Sequence, residues 1–406
     1  MDSSQTRSAR RALLASLISV PAAMMQPISQ AKAAPVLKGR ILFSGSRPEL
    51  LPPTILGSKE TASVLACLDL DTGEQTAFPI PVVGASGVFS LSDGRMLYVG
   101  QGASALILNA DGSIGSESIA PAGYRFNGGA CADQKHAVLT LTRSVGGGGD
   151  KAGLLRRIAL QETGSVLPDC TSYGTDPNSL VFMPETNELA VLHSGVSAES
   201  GFNASGQVFS PIDAAITILD ADTLALKRHV SLGNLKGKPI SMALIAQDVA
   251  LVGLSQYQKL PSQANEGTVA SLSAPIQSVA IFQGKTAISQ PLLRVSLIDS
   301  SVDTLIEGRG HEAMVKNRVT GAVVATFSDS DFVAVVGADS RITTIDASEL
   351  GLTNVSGVAD VSGTPYVCLA GLDRYSVIFD LISRKVIRRY RTENFGARRF
   401  SFAARV

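Results

Sequence analysis

Tryptophan is absent from this chain of 406 residues, and charged residues make up only 17% of it. Lysine plus arginine equals aspartate plus glutamate at 35 each, so the formal net charge is zero. A nucleic-acid or anionic-membrane partner normally requires a basic excess or a basic stripe. The balance therefore predicts no nucleic-acid partner. No segment after the N-terminus reaches the roughly 18 uninterrupted apolar residues of a membrane span, so we expect a protein that is not embedded in a membrane.

Local motifs for catalysis and metal binding are also missing. The four histidines have no partner at i+2 or i+4, no serine lies in a G-x-S-x-G elbow, and the glycine-rich run 145–153 lacks the phosphate-loop order. The sequence therefore predicts no cofactor. The four cysteines show no C-x-x-C spacing, and two interpretations stay open for them: buried apolar residues, or a disulfide such as Cys131–Cys170.

The N-terminus carries the features of an export signal. Arg7, Arg10 and Arg11 precede an apolar stretch from Leu13 to Met25, and Ala31-Lys32-Ala33 forms a small-x-small cleavage site. "ARRALLA" resembles the twin-arginine motif, with ordinary secretion as the alternative route. We predict a signal peptide over residues 1–34, a single domain over 35–406, and a periplasmic location.

A repeat of about 40 residues runs through the rest of the chain. Five stretches read as strand, turn, strand, turn, strand, turn, strand, and the third strand of each unit ends in a tail that contains Asp or Asn. The tails are "CLDLDTGEQ", "ILNADGSI", "ILDADTLAL", "TIDASELGL" and "IFDLISRKV". The recurrence marks these acids as turn formers first, with calcium binding by Asp69/Asp71 or Asp220/Asp222 as the lesser alternative.

Four-strand units at this spacing are typical of β-propeller blades. Fitting them to residues 39–406 predicts an all-β, seven-bladed β-propeller, with a pair of β-sandwiches as the alternative. The first unit lacks a strand, which the C-terminal segment "ARRFSFAARV" supplies to close the ring. "RKVIRRYR" (Arg384–Arg391) predicts a solvated outer strand, or less favourably a docking face for an acidic partner.

Several segments resemble a known family in sequence order. "GVFSLSDGRMLY", "DPNSLVFMPETNELAVLHSGV", "ITILDADTLALKRHVSL" and "ALVGLSQYQ" are similar to twin-arginine-exported periplasmic propellers of unknown function, related to YVTN and amine-dehydrogenase heavy-chain propellers. The resemblance implies an association with periplasmic iron uptake or a redox system. Members usually carry histidine where this chain has Gly84-Ala85-Ser86 and Pro177-Asn178-Ser179, so this chain departs from the family there.

Candidate site residues follow from strand ends and from the resemblance. A ligand site is predicted at Asn178, Gln256, Tyr257, Gln258 and Arg318, and a metal site at His193 and His311. Should the ligand-site residues and His311 meet at one channel mouth, an enzyme would be favoured.

These observations favour a periplasmic binding or scaffold protein without catalysis of its own. Its partner would be a periplasmic protein or a small molecule on one propeller rim, decorated by insertions at Ser197–Asp213, Lys259–Ile276 and Ile298–Arg318. The alternative is a propeller enzyme, either a metal-dependent hydrolase or a subunit of a periplasmic oxidoreductase.

Overall fold

The computed structural model describes residues 37–45, 63–81, 85–133, 135–144, 152–161, 165–195, 213–233, 235, 237–255, 288–308, 311–328, 330–371, 374–392 and 400–403. The residues from Lys38 to Val406 belong to one compact unit. Among the described residues, no helix is long and apolar enough to cross a membrane.

The described strands form seven small antiparallel sheets, which we number as blades 1 to 7. Blade 1 contains β1 (Arg40–Gly45), β2 (Ser63–Asp69) and β3 (Gln75–Ile80), together with the C-terminal strand β29 (Phe400–Ala403). Blade 2 contains β4 (Ala85–Ser90), β5 (Met96–Gly100), β6 (Ser104–Leu108) and β7 (Ile114–Ile119). Blade 3 contains β8 (Tyr124–Ala132), β9 (His136–Arg143), β10 (Leu154–Ala159) and two short strands that pair with β10, β11 (Ser165–Val166) and β12 (Cys170–Thr171).

The remaining blades repeat the same plan. Blade 4 contains β13 (Pro177–Met183), β14 (Glu188–His193), β15 (Ala215–Asp220) and β16 (Leu226–Ser231). Blade 5 contains β17 (Lys238–Ala246), β18 (Val249–Ser255), β19 (Ile288–Ser296) and β20 (Val302–Gly308). Blade 6 contains β21 (Ala313–Lys316), β22 (Val323–Phe327), β23 (Phe332–Val336) and β24 (Ile342–Asp346), followed by a 3-10 helix (Ala347–Leu350). Blade 7 contains β25 (Val355–Val361), β26 (Tyr366–Gly371), β27 (Tyr375–Asp380) and β28 (Lys385–Arg391). The predicted seven-bladed propeller is confirmed.

The C-terminal strand closes the ring as predicted. β29 pairs with β1 in antiparallel register, with Ala403 opposite Arg40 and Phe400 opposite Phe43. Blade 1 is thus built from both ends of the propeller chain, and its order is β29-β1-β2-β3. Closure of this kind removes the two open edges that an unclosed array of sheets would leave.

The hydrophobic core lies between neighbouring blades rather than at one centre. Leu42 and Leu65 of blade 1 pack with Val88 and Tyr98 of blade 2, and corresponding clusters join blades 2 and 3, 3 and 4, 4 and 5, 5 and 6, and 6 and 7. Blades 2 to 6 therefore bury both faces, which explains the near-continuous apolar runs of their middle strands.

In blades 1, 2, 4 and 7 the acidic tail forms the turn from the third strand to the fourth, as predicted. The prediction is wrong for blade 6, where Asp346 of "TIDASELGL" ends the fourth strand β24 and caps the 3-10 helix. Oδ1 of Asp69 accepts hydrogen bonds from the backbone N–H groups of Asp71 and Thr72, both at 2.9 Å. Asp220 and Asp380 do the same in blades 4 and 7. These carboxylates accept hydrogen bonds from the backbone of their own turns, which is the structural role that the repeat indicated.

Arginines on outer strands tie consecutive blades together. Arg228 in β16 and Arg388 in β28 occupy the same register position, opposite Ile218 and Ile378. Arg228 donates to the Leu297 carbonyl at 3.1 Å, and Arg388 donates to the Leu70 carbonyl at 3.0 Å. Both carbonyls directly follow the third strand of the next blade. β28 is the outermost strand of blade 7, so the prediction of an outer strand for "RKVIRRYR" is confirmed.

One predicted insertion is wrong. Residues 298–318 contain the turn after β19, the whole of β20 and the whole of β21, so they are blade scaffold. The alternation in "VDTLIEG" is too polar to signal a strand, because β20 is the outer strand of blade 5 and Asp303 and Thr304 on it are exposed. The other two insertions lie outside the described residues, apart from Asp213, and they connect the second and third strands of blades 4 and 5.

Candidate ligand channel

Bulges recur at the start of the first strand of the blades. The register between the first and second strands shifts between Ala85 and Gly87, Phe126 and Ala130, Pro177 and Ser179, Pro239 and Ser241, and Val355 and Gly357. A bulge inserts an unpaired residue and redirects the side chains next to it, and bulges are enriched beside functional sites. Asn178 is such a bulged residue in blade 4.

The first strands of six blades surround a central cavity of about 420 Å³. Five of them contribute a pair of small or apolar residues, and β25 contributes Val358: the pairs are Gly87 and Val88, Gly129 and Ala130, Ser179 and Leu180, Ser241 and Met242, and Ala313 and Met314. Small residues just inside the bulges leave the channel open at this level. Its volume falls within the range of small-molecule sites.

Charged side chains line the cavity at the far ends of the first strands. Lys316 is the last residue of β21, Arg318 follows two residues later, and Asp360 lies near the end of β25. Ser90 and Ser362 join them there. This is the only charged cluster among the described residues that line the cavity.

Asp360 is held by a buried amide. Nδ2 of Asn317 donates to Oδ1 of Asp360 at 2.6 Å, and Asn317 is itself fully buried. Burial raises the pKa of Asp360 to about 6, against the hydrogen bond from Asn317 and the charge of Arg318, which both lower it. A carboxyl group with a pKa in this range changes charge between pH 5 and 7.

A second polar cluster lies where the first strands begin. Asp176 is buried and receives hydrogen bonds from Asn127 Nδ2 at 3.0 Å and from Ser194 Oγ at 2.5 Å. Nζ of Lys238 lies 2.8 Å from Oδ2 of Asp176. These residues come from blades 3, 4 and 5, together with the connection before β13, so the cluster joins three blades at one end of the channel.

The charge of Asp176 is compensated within this cluster. Burial raises its pKa, but the charge of Lys238 and the hydrogen bonds from Lys238, Ser194 and Thr142 outweigh burial and hold the pKa below its usual range. Asn178 belongs to the same network: its Oδ1 accepts from Asn127 at 2.5 Å, and its Nδ2 donates to the Pro239 carbonyl at 3.1 Å. The arrangement is a satisfied interblade network.

The two histidines of the predicted metal site are buried and contact hydroxyl groups. His193 Nε2 lies 2.9 Å from Thr217 Oγ1, and burial lowers its pKa to about 3, so the ring is neutral. His311 Nε2 lies 2.6 Å from Ser241 Oγ. Among the described residues, no three His, Cys, Asp or Glu side chains are grouped to hold a metal ion. The site at His193 and His311 stays a prediction.

The contact between Ser241 and His311 differs from that between Thr217 and His193 in its access to the cavity. Ser241 lines the cavity, whereas His193 and Thr217 are both fully buried and Thr217 Oγ1 donates to the Ser172 carbonyl. The His311 ring packs edge-on against Phe327, with the centroids 5.4 Å apart. It also faces Gly253, where a Cβ atom would lie 2.0 Å from His311 Cδ2. The imidazole is therefore fixed with Nε2 toward a serine hydroxyl at the channel wall.

Asn178 and Arg318, the two predicted ligand residues that the structure describes, lie at opposite ends of the channel. Asn178 lies at the start of β13 and His311 precedes β21, whereas Arg318 follows the end of β21. The first strands of a propeller run in one direction around the channel, so Arg318 belongs to the opposite end. Gln256, Tyr257 and Gln258 lie outside the described residues. Of the predicted set, Arg318 lines the cavity.

Sequence reasoning missed Asp360, Lys316 and Ser241. A signal for Asp360 was present, because aligning "SGVFSLSDG" with "SGVADVSGT" places it opposite Ser90, and both line the cavity. The contact between Ser241 and His311 spans 70 residues and leaves no local pattern.

All four cysteines are free thiols. Cys131 and Cys170 pack against the same cluster between blades 3 and 4 without forming a disulfide. Burial raises the pKa of Cys67 to about 11 and that of Cys368 to about 12. Such thiols are poor nucleophiles, and the interpretation as buried apolar residues is confirmed for these two.

Comparisons with known proteins identify the fold of the chain. No protein-family model matches the chain, and no curated protein matches it. A Lactobacillus plantarum protein of known structure is 12% identical, with a TM-score of 0.53 over 90% of this chain and 99% of its own. A "putative 6-phosphogluconolactonase" from Bacteroides fragilis is 10% identical, with a TM-score of 0.54 over 90% of this chain and 98% of its own. Similarity at this level establishes that the chain shares the β-propeller fold of these structures.

Proposed function

We propose that this chain is an exported periplasmic binding protein whose central channel holds a small molecule. The observation that carries the proposal is the cavity of about 420 Å³, lined by the first strands of six blades and charged at one end. A propeller positions such a cavity by the rigid pairing of every blade, and a preformed pocket binds without the cost of ordering loops.

The location and the biological setting rest on the sequence. The basic residues, the short apolar stretch and the cleavage signal of residues 1–34 support export. The family resemblance supports an association with periplasmic iron uptake or with a redox system. In this proposal the chain binds and presents its ligand to a partner protein and has no catalysis of its own.

Native mass spectrometry of the full chain, purified from its native host, tests the proposal. The expected result is a co-purifying small molecule at one copy per chain. Ser179→Phe fills the channel from β13, and it should abolish the adduct, whereas Ser231→Phe on the exposed outer strand β16 should retain it. An adduct retained by Ser179→Phe, or no adduct on the wild-type chain, would contradict the proposal.

A second candidate function, hydrolysis of an ester or lactone, is favoured by the contact between Ser241 and His311. A serine hydroxyl 2.6 Å from a fixed imidazole nitrogen is the arrangement that activates serine as a nucleophile. Ser241 Oγ would attack the acyl carbon while its proton passes to His311 Nε2, which then protonates the leaving alcohol. Water would release the acyl group from Ser241 by the reverse proton path.

Hydrolysis of p-nitrophenyl acetate by the full chain distinguishes this candidate. Ser241→Ala should abolish the activity, and Ser179→Ala should retain it, because Ser179 lines the same cavity from β13 without a histidine contact in the described residues. Equal rates for the wild-type chain and Ser241→Ala would reject the hydrolase and leave the binding protein.

A further inference from the structure

We propose that the charged end of the channel is a binding site for a small organic anion, whose carboxylate or phosphate group is held by Lys316 and Arg318 beside Asp360. The inference rests on the proposed function, because it names the ligand class of the same cavity. It adds a pH dependence in which binding tightens as Asp360 takes up a proton.

The balance of charge at the cavity wall supports an anion. Lys316, Arg318 and Asp360 are the charged side chains among the described cavity-lining residues, so cations exceed carboxylates by two to one. Nζ of Lys316 has one hydrogen bond in the described structure, to the Ile245 carbonyl at 3.4 Å. Two of its three donor positions are therefore available to a ligand.

Arg318 is the second cation that lines the cavity. The residue is exposed, and its charge acts on Asp360. A planar guanidinium binds carboxylate and phosphate groups through two parallel hydrogen bonds, while lysine adds a point charge. The pair thus fits one oxyanion group, and the apolar wall formed by Val88, Leu180 and Met242 would contact the rest of the ligand.

Asp360 competes with the anion for these cations. Lys316 and Arg318 are the titratable groups that line the cavity with Asp360. On the neighbouring strand β26, Val367 is the register partner of Asp360, and Tyr366 is the residue next to Val367. Because burial raises the pKa of Asp360 to about 6, the carboxyl group is mostly neutral at pH 5 and mostly ionised at pH 7.5. The neutral form removes a negative charge from the site and supplies a donor, so anion binding strengthens as the pH falls.

Isothermal titration calorimetry with the full chain tests the inference. Gluconate supplies a carboxylate, glucose 6-phosphate a phosphate, and glucose is an uncharged polyol of similar size. We expect at least one anion to bind at pH 5, and glucose to give no heat. The anion that binds shows whether the site takes a carboxylate or a phosphate group. Gluconate keeps its charge between pH 5 and 7.5, so it carries the pH comparison, and where it binds it should do so about tenfold more tightly at pH 5.

Variants separate this inference from the proposed function. Lys316→Met and Arg318→Met should each weaken anion binding at least tenfold, and Arg341→Met, at the exposed residue just before β24, should not. Asp360→Asn keeps the acceptor for Asn317 and should bind gluconate at pH 7.5 as the wild-type chain does at pH 5. Circular dichroism confirms that each variant is folded.

Two results with the anions would overturn the inference. One is no binding of either anion at pH 5, and the other is anion binding that both Lys316→Met and Arg318→Met leave unchanged. Heat from glucose that Ser179→Phe abolishes would retain the channel as a ligand site and reject the anion. Heat that Ser179→Phe leaves unchanged would reject the channel itself.

Discussion

Replacing Lys238 with methionine should destabilise the propeller more than replacing Asp176 with asparagine, although each change removes the same ion pair. The two side chains differ in their access to water. The Lys238 side chain is 34% exposed and the Asp176 side chain only 7%. After Asp176→Asn, the ammonium group can hydrate, whereas after Lys238→Met the carboxylate stays buried beside Asn127 and Ser194 without its cation.

The expected magnitudes follow from this asymmetry. Removing the partner of a buried charge costs about 3 kcal/mol, and we assign that to Lys238→Met at pH 7. Asp176→Asn loses the charge assistance of two or three hydrogen bonds, which is worth about 1.5 kcal/mol. The double variant should also lose about 1.5 kcal/mol, because no unpaired buried charge remains, so the two changes are not additive.

The pH dependence changes sign between the wild-type chain and Lys238→Met. In the wild-type protein the folded pKa of Asp176 is held below its unfolded value, so its contribution is present above the unfolded pKa and is lost as the pH falls through the folded pKa. Without Lys238, burial should raise the folded pKa of Asp176 above its unfolded value. Lowering the pH through that folded pKa should therefore stabilise the variant.

Urea denaturation followed by circular dichroism, at pH 7 and at pH 4, measures both effects. We expect Lys238→Met to be the less stable single variant at pH 7, and the double variant to be more stable than Lys238→Met. Equal losses for both single variants, with an additive double variant, would refute the argument from exposure.

Three further predictions concern the turns and the closure of the ring. Ser300 has a φ of 60° and is exposed; Ser300→Gly should raise the free energy of unfolding by about 0.5 kcal/mol, and Ser301→Gly should lower it by a similar amount. Arg388→Met should lower it by about 1 kcal/mol, because the hydrogen bond to Leu70 between blades 7 and 1 is lost; an unchanged urea midpoint would count against this role. Deleting the strand Phe400–Ala403 should abolish cooperative unfolding, because β1 of blade 1 then loses the strand that closes the ring; a cooperative melt of the deletion variant would contradict this.

The fold was predictable from the sequence because several blades repeat the same local chemistry. Asp69, Asp220 and Asp380 end third strands and accept hydrogen bonds from the backbone of the following turn, a pattern visible in one dimension. The missing strand of the first unit also predicted closure by the C-terminus. The prediction failed at β20, an outer strand whose exposed polar residues weaken the apolar signal, and at β21, a first strand of only four residues that was assigned to the same insertion.

The site was less predictable because its contacts cross blades. The ion pair of Asp176 and Lys238 joins residues of different blades, and the contact between Ser241 and His311 spans 70 residues. Side chains that meet in a ring need no sequence proximity. Alignment of the repeats does carry part of the information, as the shared position of Ser90 and Asp360 shows.

A bulge gives Asn178 a role in the run 177–179, where the sequence departs from the propellers that it resembles. In this chain Asn178 is a bulged residue whose amide bonds Asn127 and the Pro239 carbonyl. The position has a structural role between blades 3, 4 and 5, and the charged wall of the channel lies at the other end of the first strands.

The decisive measurement is a crystal structure of the full chain grown at pH 5 with gluconate in one crystal and glucose 6-phosphate in another. We expect density for at least one of the two anions inside the channel, with its carboxylate or phosphate group contacting Lys316 and Arg318 near Asp360. An empty channel in both crystals at saturating ligand, or density for the anions only outside the channel, would contradict the proposed site.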